Sequence, residues 1–146
     1  MAETRIRYPS CQTLDIRRRV LGPEHPRTLA AIHNLAVVFH WQGNYGEAEK
    51  LYREVLDIER RVLGPEHPGT LQSMEVLAGD LAHEGRYDEA EKMQLKARDI
   101  LRQVLGPEHP EAALSTDNLA CILALAGKRD EALSLLREAV DHGLPP

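Results

Sequence analysis

The chain has little of what a β-rich, disulfide-built or catalytic protein needs. Aromatic residues make up 4% of its 146 residues, with a single Phe and a single Trp. That scarcity, beside 42% apolar residues rich in Leu and Ala, favours helix over sheet. The two cysteines, Cys11 and Cys121, form no C-x-x-C pair, so neither a disulfide framework nor a zinc site is indicated. Basic charge is not in excess: 18 Lys and Arg stand against 23 Asp and Glu, interspersed, for a net charge of −5. Nucleic acids and anionic membranes are held by a basic face, so neither is an expected partner. The longest apolar run, Leu119 to Ala126, is too short to span a bilayer. Met1 to Arg7 carries charge but no apolar core of a secretory signal. A soluble, reducing, cytoplasmic setting is expected. No G-x-S-x-G, P-loop or G-x-G-x-x-G occurs, and His83-Glu84 lacks the second histidine of H-E-x-x-H. With no nucleophile–base pair to name, neither catalysis nor a cofactor is expected.

What the chain does have is repetition. Leu21-Gly22-Pro23-Glu24-His25-Pro26 returns unchanged at Leu63 to Pro68 and at Leu105 to Pro110, each time 42 residues on. A fixed period in this range marks an array of one supersecondary unit. Residues 1–9 carry no pattern and are expected to be disordered. Residues 10–146 form one repeat domain: a half repeat at 10–20, then repeats 21–62, 63–104 and 105–146. Its length suits a single domain with a real core.

Each unit reads as loop, helix A, tight turn, helix B. Gly22 stands where glycine closes a helix with a positive φ, and Pro26 is preset for a first helical position. The A helices are expected over Pro26 to about Trp41, Pro68 to about Glu84 and Pro110 to about Ala126. The B helices follow over Tyr45 to about Leu63, Tyr87 to about Leu105 and Asp130 to His142, which Gly143 and Pro145-Pro146 end. Leu29, Ile32, Leu35, Ala36 and Phe39 keep the 3.6-residue period of a buried stripe. Glu49 with Arg53, and Asp57 with Arg61, are i,i+4 pairs in the favourable order. Ala36, Ala78 and Ala120 on the A helices, and Ala48, Ala90 and Ala132 on the B helices, allow close axial approach. One such hairpin cannot cover its own apolar face, so stacking on neighbours is required.

The repeated His25, His67 and His109 invite a metal reading. Corresponding positions of stacked helices lie about 10 Å apart, whereas zinc ligands sit about 2.1 Å from one ion. A loop histidine bonding backbone at the start of helix A is the better account, and no metal is expected. Glu24, Glu66 and Glu108 lie near the positive end of each A helix, where a carboxylate stabilises modestly. Cys121 falls on the apolar stripe of the third A helix and reads as a buried small hydrophobe.

The pattern Leu35-Ala36, Phe39, Gly43, Tyr45, Ala48, Tyr52, Val55 resembles the tetratricopeptide repeat. The 42-residue period and the Leu-Gly-Pro-Glu-His-Pro loop are similar to the longer variety of kinesin light chains. The resemblance implies an all-α solenoid of about seven antiparallel helices in a right-handed superhelix. It implies a scaffold that binds a protein or peptide in a concave groove lined by the A helices. The groove positions are then His33, Asn34, Val37 and His40; Gln72, Glu75, Val76 and Gly79; and Asp117, Asn118 and Cys121. Asn34 and Asn118 correspond, and an asparagine amide suits clamping peptide backbone. No Lys or Arg stands among these positions, which disfavours a carboxylate clamp and favours a basic or neutral peptide. The alternative is a structural or oligomerising segment of a larger signalling or cargo-adaptor protein. Leu133, Leu135, Leu136 and Val140 on the last helix, with no following helix to cover them, raise either a slice of a longer array or self-association through uncapped ends.

Overall fold

The six-residue loop decides where each A helix begins. The computed structural model describes residues 9–141, with side chains from Gln12 onward. It holds seven α-helices and no strand among the described residues. They are α1 (Pro9–Leu21), α2 (Pro26–Trp41), α3 (Tyr45–Val62), α4 (Pro68–His83), α5 (Tyr87–Leu105), α6 (Pro110–Leu125) and α7 (Arg129–Asp141). The expected helix ends differ from these by at most one residue where both are described. The disorder expected for residues 1–9 falls on 1–8, outside the described residues; Pro9 is the first residue of α1. His142, Gly143 and Pro145-Pro146, expected to end the last helix, also lie outside the described residues.

Every A helix starts the same way. His25, His67 and His109 are extended N-cap residues whose Nδ1 accepts the backbone N–H two positions on, at 3.1, 3.1 and 3.2 Å. A proline follows each at the first helical position, where its missing N–H costs nothing. A ring nitrogen that accepts uses its lone pair, so in this bond Nδ1 is the acceptor and the N–H of the ring is on Nε2. In the loop before α4, the buried Thr70 hydroxyl donates to the Gly64 carbonyl at 2.8 Å.

Every A helix also ends the same way. Gly85 has φ +82, its N–H bonds Ala82 O, and the Arg86 N–H reaches back to Leu81 O at 2.9 Å. These are the paired bonds of a Schellman motif, and the α2–α3 and α6–α7 turns repeat them. The glycine closing helix B differs: Gly106 has φ 92 and ψ 154, a region open in practice to glycine alone. The B helices make use of charge instead, with Glu47, Asp88-Glu89 and Asp130-Glu131 in first turns that favour anions.

The chain divides into two units, Met1–Ile58 and Glu59–Pro146, with the boundary inside α3. In the first unit Leu14 of α1, Ala31, Ile32 and Leu35 of α2, and Val55 of α3 form one buried cluster. In the second, α4, α5, α6 and α7 pack in chain order. Leu119, Ala120 and Leu123 of α6 cluster with Ala132 of α7, and Leu95 and Leu135 flank them. All six alanines at the helix crossings are at most 4% exposed.

Each unit also carries an ion pair between B-type helices. Arg18 donates to Glu54 at 2.6 Å in the first, and Arg102 donates to Glu138 at 2.8 Å in the second. The two pairs occupy corresponding places in the repeat; Lys96 stands where the intermediate copy would need a carboxylate. Exposed on one side, each contributes at most about 1 kcal/mol. The expected Glu49–Arg53 pair is present at 2.7 Å.

The caps set a testable cost. His67→Ala should lower the unfolding free energy by about 1 kcal/mol, and His67→Asn, whose side chain also caps, should recover most of it. Urea denaturation of the two variants measures this; equal losses would show that the Nδ1 bond is not what stabilises the start of α4.

Candidate functional site

In the second unit, α4 and α6 are both A helices, and a cleft runs between them with α5 behind. Its volume is about 410 Å³, within the range of binding pockets. Gln72, Glu75, Val76, Gly79 and His83 of α4 form one wall. Leu114, Asn118, Cys121, Ile122 and Leu125 of α6 form the other. The spacing follows from helix geometry, since positions three and four apart share a face. A second hollow of about 270 Å³ shares Gln72, Glu75 and Leu114 and carries the groove back to Pro68 and Glu111. A sixteen-residue helix such as α4 is about 24 Å long. That length accommodates about seven residues of extended chain.

The floor is held by Gln94 of α5, a fully buried residue. Its Nε2 donates to Glu75 Oε1 at 2.8 Å on one wall and to Ser115 O and Oγ at 3.1 Å on the other. One amide from the helix behind therefore fixes both walls. Its own Oε1 is buried with no hydrogen-bond partner among the described residues. Gln94 is the functional residue that the sequence reading missed. The available signal was a polar residue on the buried stripe of a B helix, where Tyr52 and Leu136 stand in the other repeats.

In this unit's helices Lys and Arg keep to the B helices. Neither α4 nor α6 contains a Lys or Arg, whereas α5 carries Lys92, Lys96, Arg98 and Arg102. Glu75 lines the cleft, Glu111 lines the second hollow, and Asp117 is half-buried on α6. The Gln72 and Asn118 side-chain amides make no hydrogen bond within the described residues. Both are thus available to a ligand with donors and acceptors to offer.

Of the expected groove residues, Gln72, Glu75 and Asn118 share this one cleft, as do Val76, Gly79 and Cys121. Asp117 lies on the same helix outside the lining. His33, Asn34, Val37 and His40 lie on α2 of the first unit. There Asn34 is exposed and Val37 half-buried. His33 stands edge-on to Tyr52 at 5.5 Å. His40 sits 5.2 Å from Tyr45 and 5.9 Å from Trp41, whose indole is 82% exposed.

Cys121 corrects the sequence reading. It is exposed on the cleft wall, where burial was expected. The apolar stripe of α6 passes through Leu119, Ala120, Ile122 and Leu123, and Cys121 points off it. Partial desolvation raises its thiol pKa above the ordinary value, and the Asp117 carboxylate raises it further. A raised pKa means less thiolate at neutral pH, so the group is a weak nucleophile. In a Cys11→Ser background, alkylation of Cys121 by iodoacetamide should therefore be slower at pH 7.5 than alkylation of an unstructured cysteine peptide. It should reach its half-maximal rate at higher pH. Asp117→Asn should speed it in part only, because burial is the larger cause; full recovery would make the carboxylate the main one.

Comparison with known proteins agrees with this geometry. One tetratricopeptide repeat profile matches residues 74–142, and a second matches 12–27 and 28–69. A Podosopora anserina protein of kinesin light chain type, built of nearly identical TPR-like repeats, superimposes in two crystal structures with TM-scores of 0.83 and 0.82. It is 32% identical over 91% of this chain, which spans 63% of that one. BtubC (BKLC) from P. vanneervenii, 20% identical with a TM-score of 0.80, shares the fold over 94% of this chain and 57% of its own. A 46-residue stretch is 39% identical to mouse and human nephrocystin-3, of which it spans 4%. No described helix is long and apolar enough to cross a membrane. Tetratricopeptide repeats generally mediate protein–protein interaction and act as noncatalytic scaffolds. The chain belongs to the tetratricopeptide repeat family, its repeats are similar to those of the kinesin-light-chain-like Podosopora protein, and its fold is an all-α solenoid.

Proposed function

We propose that this chain is a noncatalytic interaction module that holds an extended, basic or neutral peptide segment along the α4–α6 cleft. The observation that carries the reading is the chemistry of the walls. Two helices free of Lys and Arg present Glu75 beside the unoccupied amides of Gln72 and Asn118, with Glu111 in the adjoining hollow and Asp117 on α6 next to the lining. Amides bind the partner's backbone without regard to sequence, and the carboxylates select against acidic segments. The helices are ordered before binding, so the host loses little entropy when a segment docks. On the first unit, Asn34 with His33, Val37 and His40 forms a separate candidate surface on α2. The setting is cytoplasmic, and neither nucleic acid nor membrane is a partner.

Selection from a displayed library of random heptapeptides tests this. Recovered sequences should be enriched in Lys and Arg. Asn118→Ala should weaken the selected peptides by about 1 kcal/mol, roughly fivefold, through loss of backbone hydrogen bonds. Asp117→Lys should weaken them further while the helical circular dichroism stays unchanged. Enrichment of Asp and Glu, or indifference to both variants, would overturn the proposal.

A second reading has its own observation. Leu133, Leu136 and Val140 of α7 are 53, 37 and 47% exposed on one helix face. In that reading two copies associate through α7, and no groove ligand is needed. Leu136→Glu should then halve the mass found by light scattering. A monomeric parent protein removes this reading.

A further inference from the structure

Along the α4–α6 cleft the chemistry changes within one helical turn. Gln72, Glu75 and Asn118 make one half polar and acidic. Val76, Gly79, Cys121, Ile122 and Leu125 make the other half largely apolar, with the His83 imidazole one turn beyond Gly79. Gly79 is the odd member of its row, since the corresponding positions are Val37 and Cys121. It lies in the interior of α4, where glycine is unfavourable relative to alanine. Packing does not require it: a methyl group there would meet no atom within 4 Å. The helix also needs no special backbone there, because positive φ values among the described residues fall on the loop and turn glycines and not on Gly79. The missing side chain leaves open space in the wall of a cleft, opposite an exposed thiol.

We propose that Gly79 opens an anchor pocket for one bulky apolar side chain of leucine, methionine or phenylalanine type. The side chain is carried by an extended partner segment with a Lys or Arg two positions away on one side only. This rests on the peptide-binding reading of the same cleft. The pocket takes an apolar group because Val76, Ile122 and Leu125 line the same stretch of the cleft with hydrocarbon and Cys121 presents a small polarisable group. The basic residue follows from spacing. Glu75 precedes Gly79 by four residues, about 6 Å along the helix, and two residues of extended chain cover about that distance. It falls on one side because no carboxylate lines the apolar half. Valine or leucine at position 79 would fill the same space from within the protein, so glycine here admits the partner.

Synthetic heptapeptides provide the test, read by fluorescence anisotropy. The probes are Gly-Lys-Ser-X-Ser-Gly-Gly and the opposite order Gly-Gly-Ser-X-Ser-Lys-Gly, with X as Leu, Phe or Ala, and Glu replacing Lys as control. In one of the two orders, Leu or Phe should bind at least about tenfold tighter than Ala, as filling an apolar pocket requires. Glu in place of Lys should weaken that peptide. Gly79→Leu should reduce its binding at least about tenfold while the melting temperature holds or rises, because leucine favours helix. Equal binding by parent and Gly79→Leu, or no preference for Leu or Phe over Ala, overturns the anchor pocket. If Asn118→Ala and Asp117→Lys still weaken the peptides in that case, the cleft stands without the pocket. If none of the probes binds at all, the pocket and the cleft reading fall together.

Discussion

The structure depends on how closely two helices of one hairpin approach. Ala78 and Ala90, both fully buried, lie where α4 packs on α5; Ala120 and Ala132, at 1 and 4% exposure, do the same for α6 and α7. Interaxial distance depends on the side chains at the contact, and small ones let the axes approach toward the short end of the ordinary range of about 8–10 Å. Leu77, Leu81, Leu119 and Leu123 fill the space on either side of these contacts, each at most 3% exposed. Close approach leaves each hairpin too thin to bury its own apolar residues, so the next hairpin must cover them.

That constraint sorts the surface. In the second unit α4 is enclosed along most of its length, burying nine residues from Thr70 to Ala82, whereas α7 buries only Ala132 and Ala139. The exposed and half-buried positions of α4 face the cleft and its adjoining hollow, and that strip is where a partner can reach the helix. Because α5 stands behind both walls, Gln94 can bond Glu75 and Ser115 at once. Such a buried amide makes cleft geometry a property of the packing rather than of flexible surface side chains. The Lys and Arg of this unit's helices meanwhile sit on α5, α7 and the end of α3, so Glu75, Gln72 and Asn118 are set in a cleft without either.

The fold was legible because its punctuation is local. A glycine with positive φ, a proline at the first helical turn and a capping histidine each act over three or four residues, and all recur with the period. Periodicity likewise placed Gln72, Glu75, Val76, Gly79 and Asn118 on one face of their helices. What stayed hidden depends on contacts between helices. Gln94 looks like an ordinary polar residue until α4 and α6 are both placed against it. Cys121 neighbours an apolar stripe in sequence, yet a 100° step around the helix turns it toward solvent. The Arg18–Glu54 and Arg102–Glu138 pairs join residues 36 apart, beyond any i,i+4 rule. The repeat marks Gly79 as the odd member of its row, but that a side chain there would meet nothing shows only once the helices are placed.

The most direct measurement is the unfolding free energy of Ala90→Leu beside that of Ala124→Leu, a substitution at an exposed position of α6. If tight hairpin approach holds the array together, Ala90→Leu should cost about 1–3 kcal/mol through overpacking, and Ala124→Leu should fall within about 0.5 kcal/mol of the parent. Equal stability of the two variants would contradict the account.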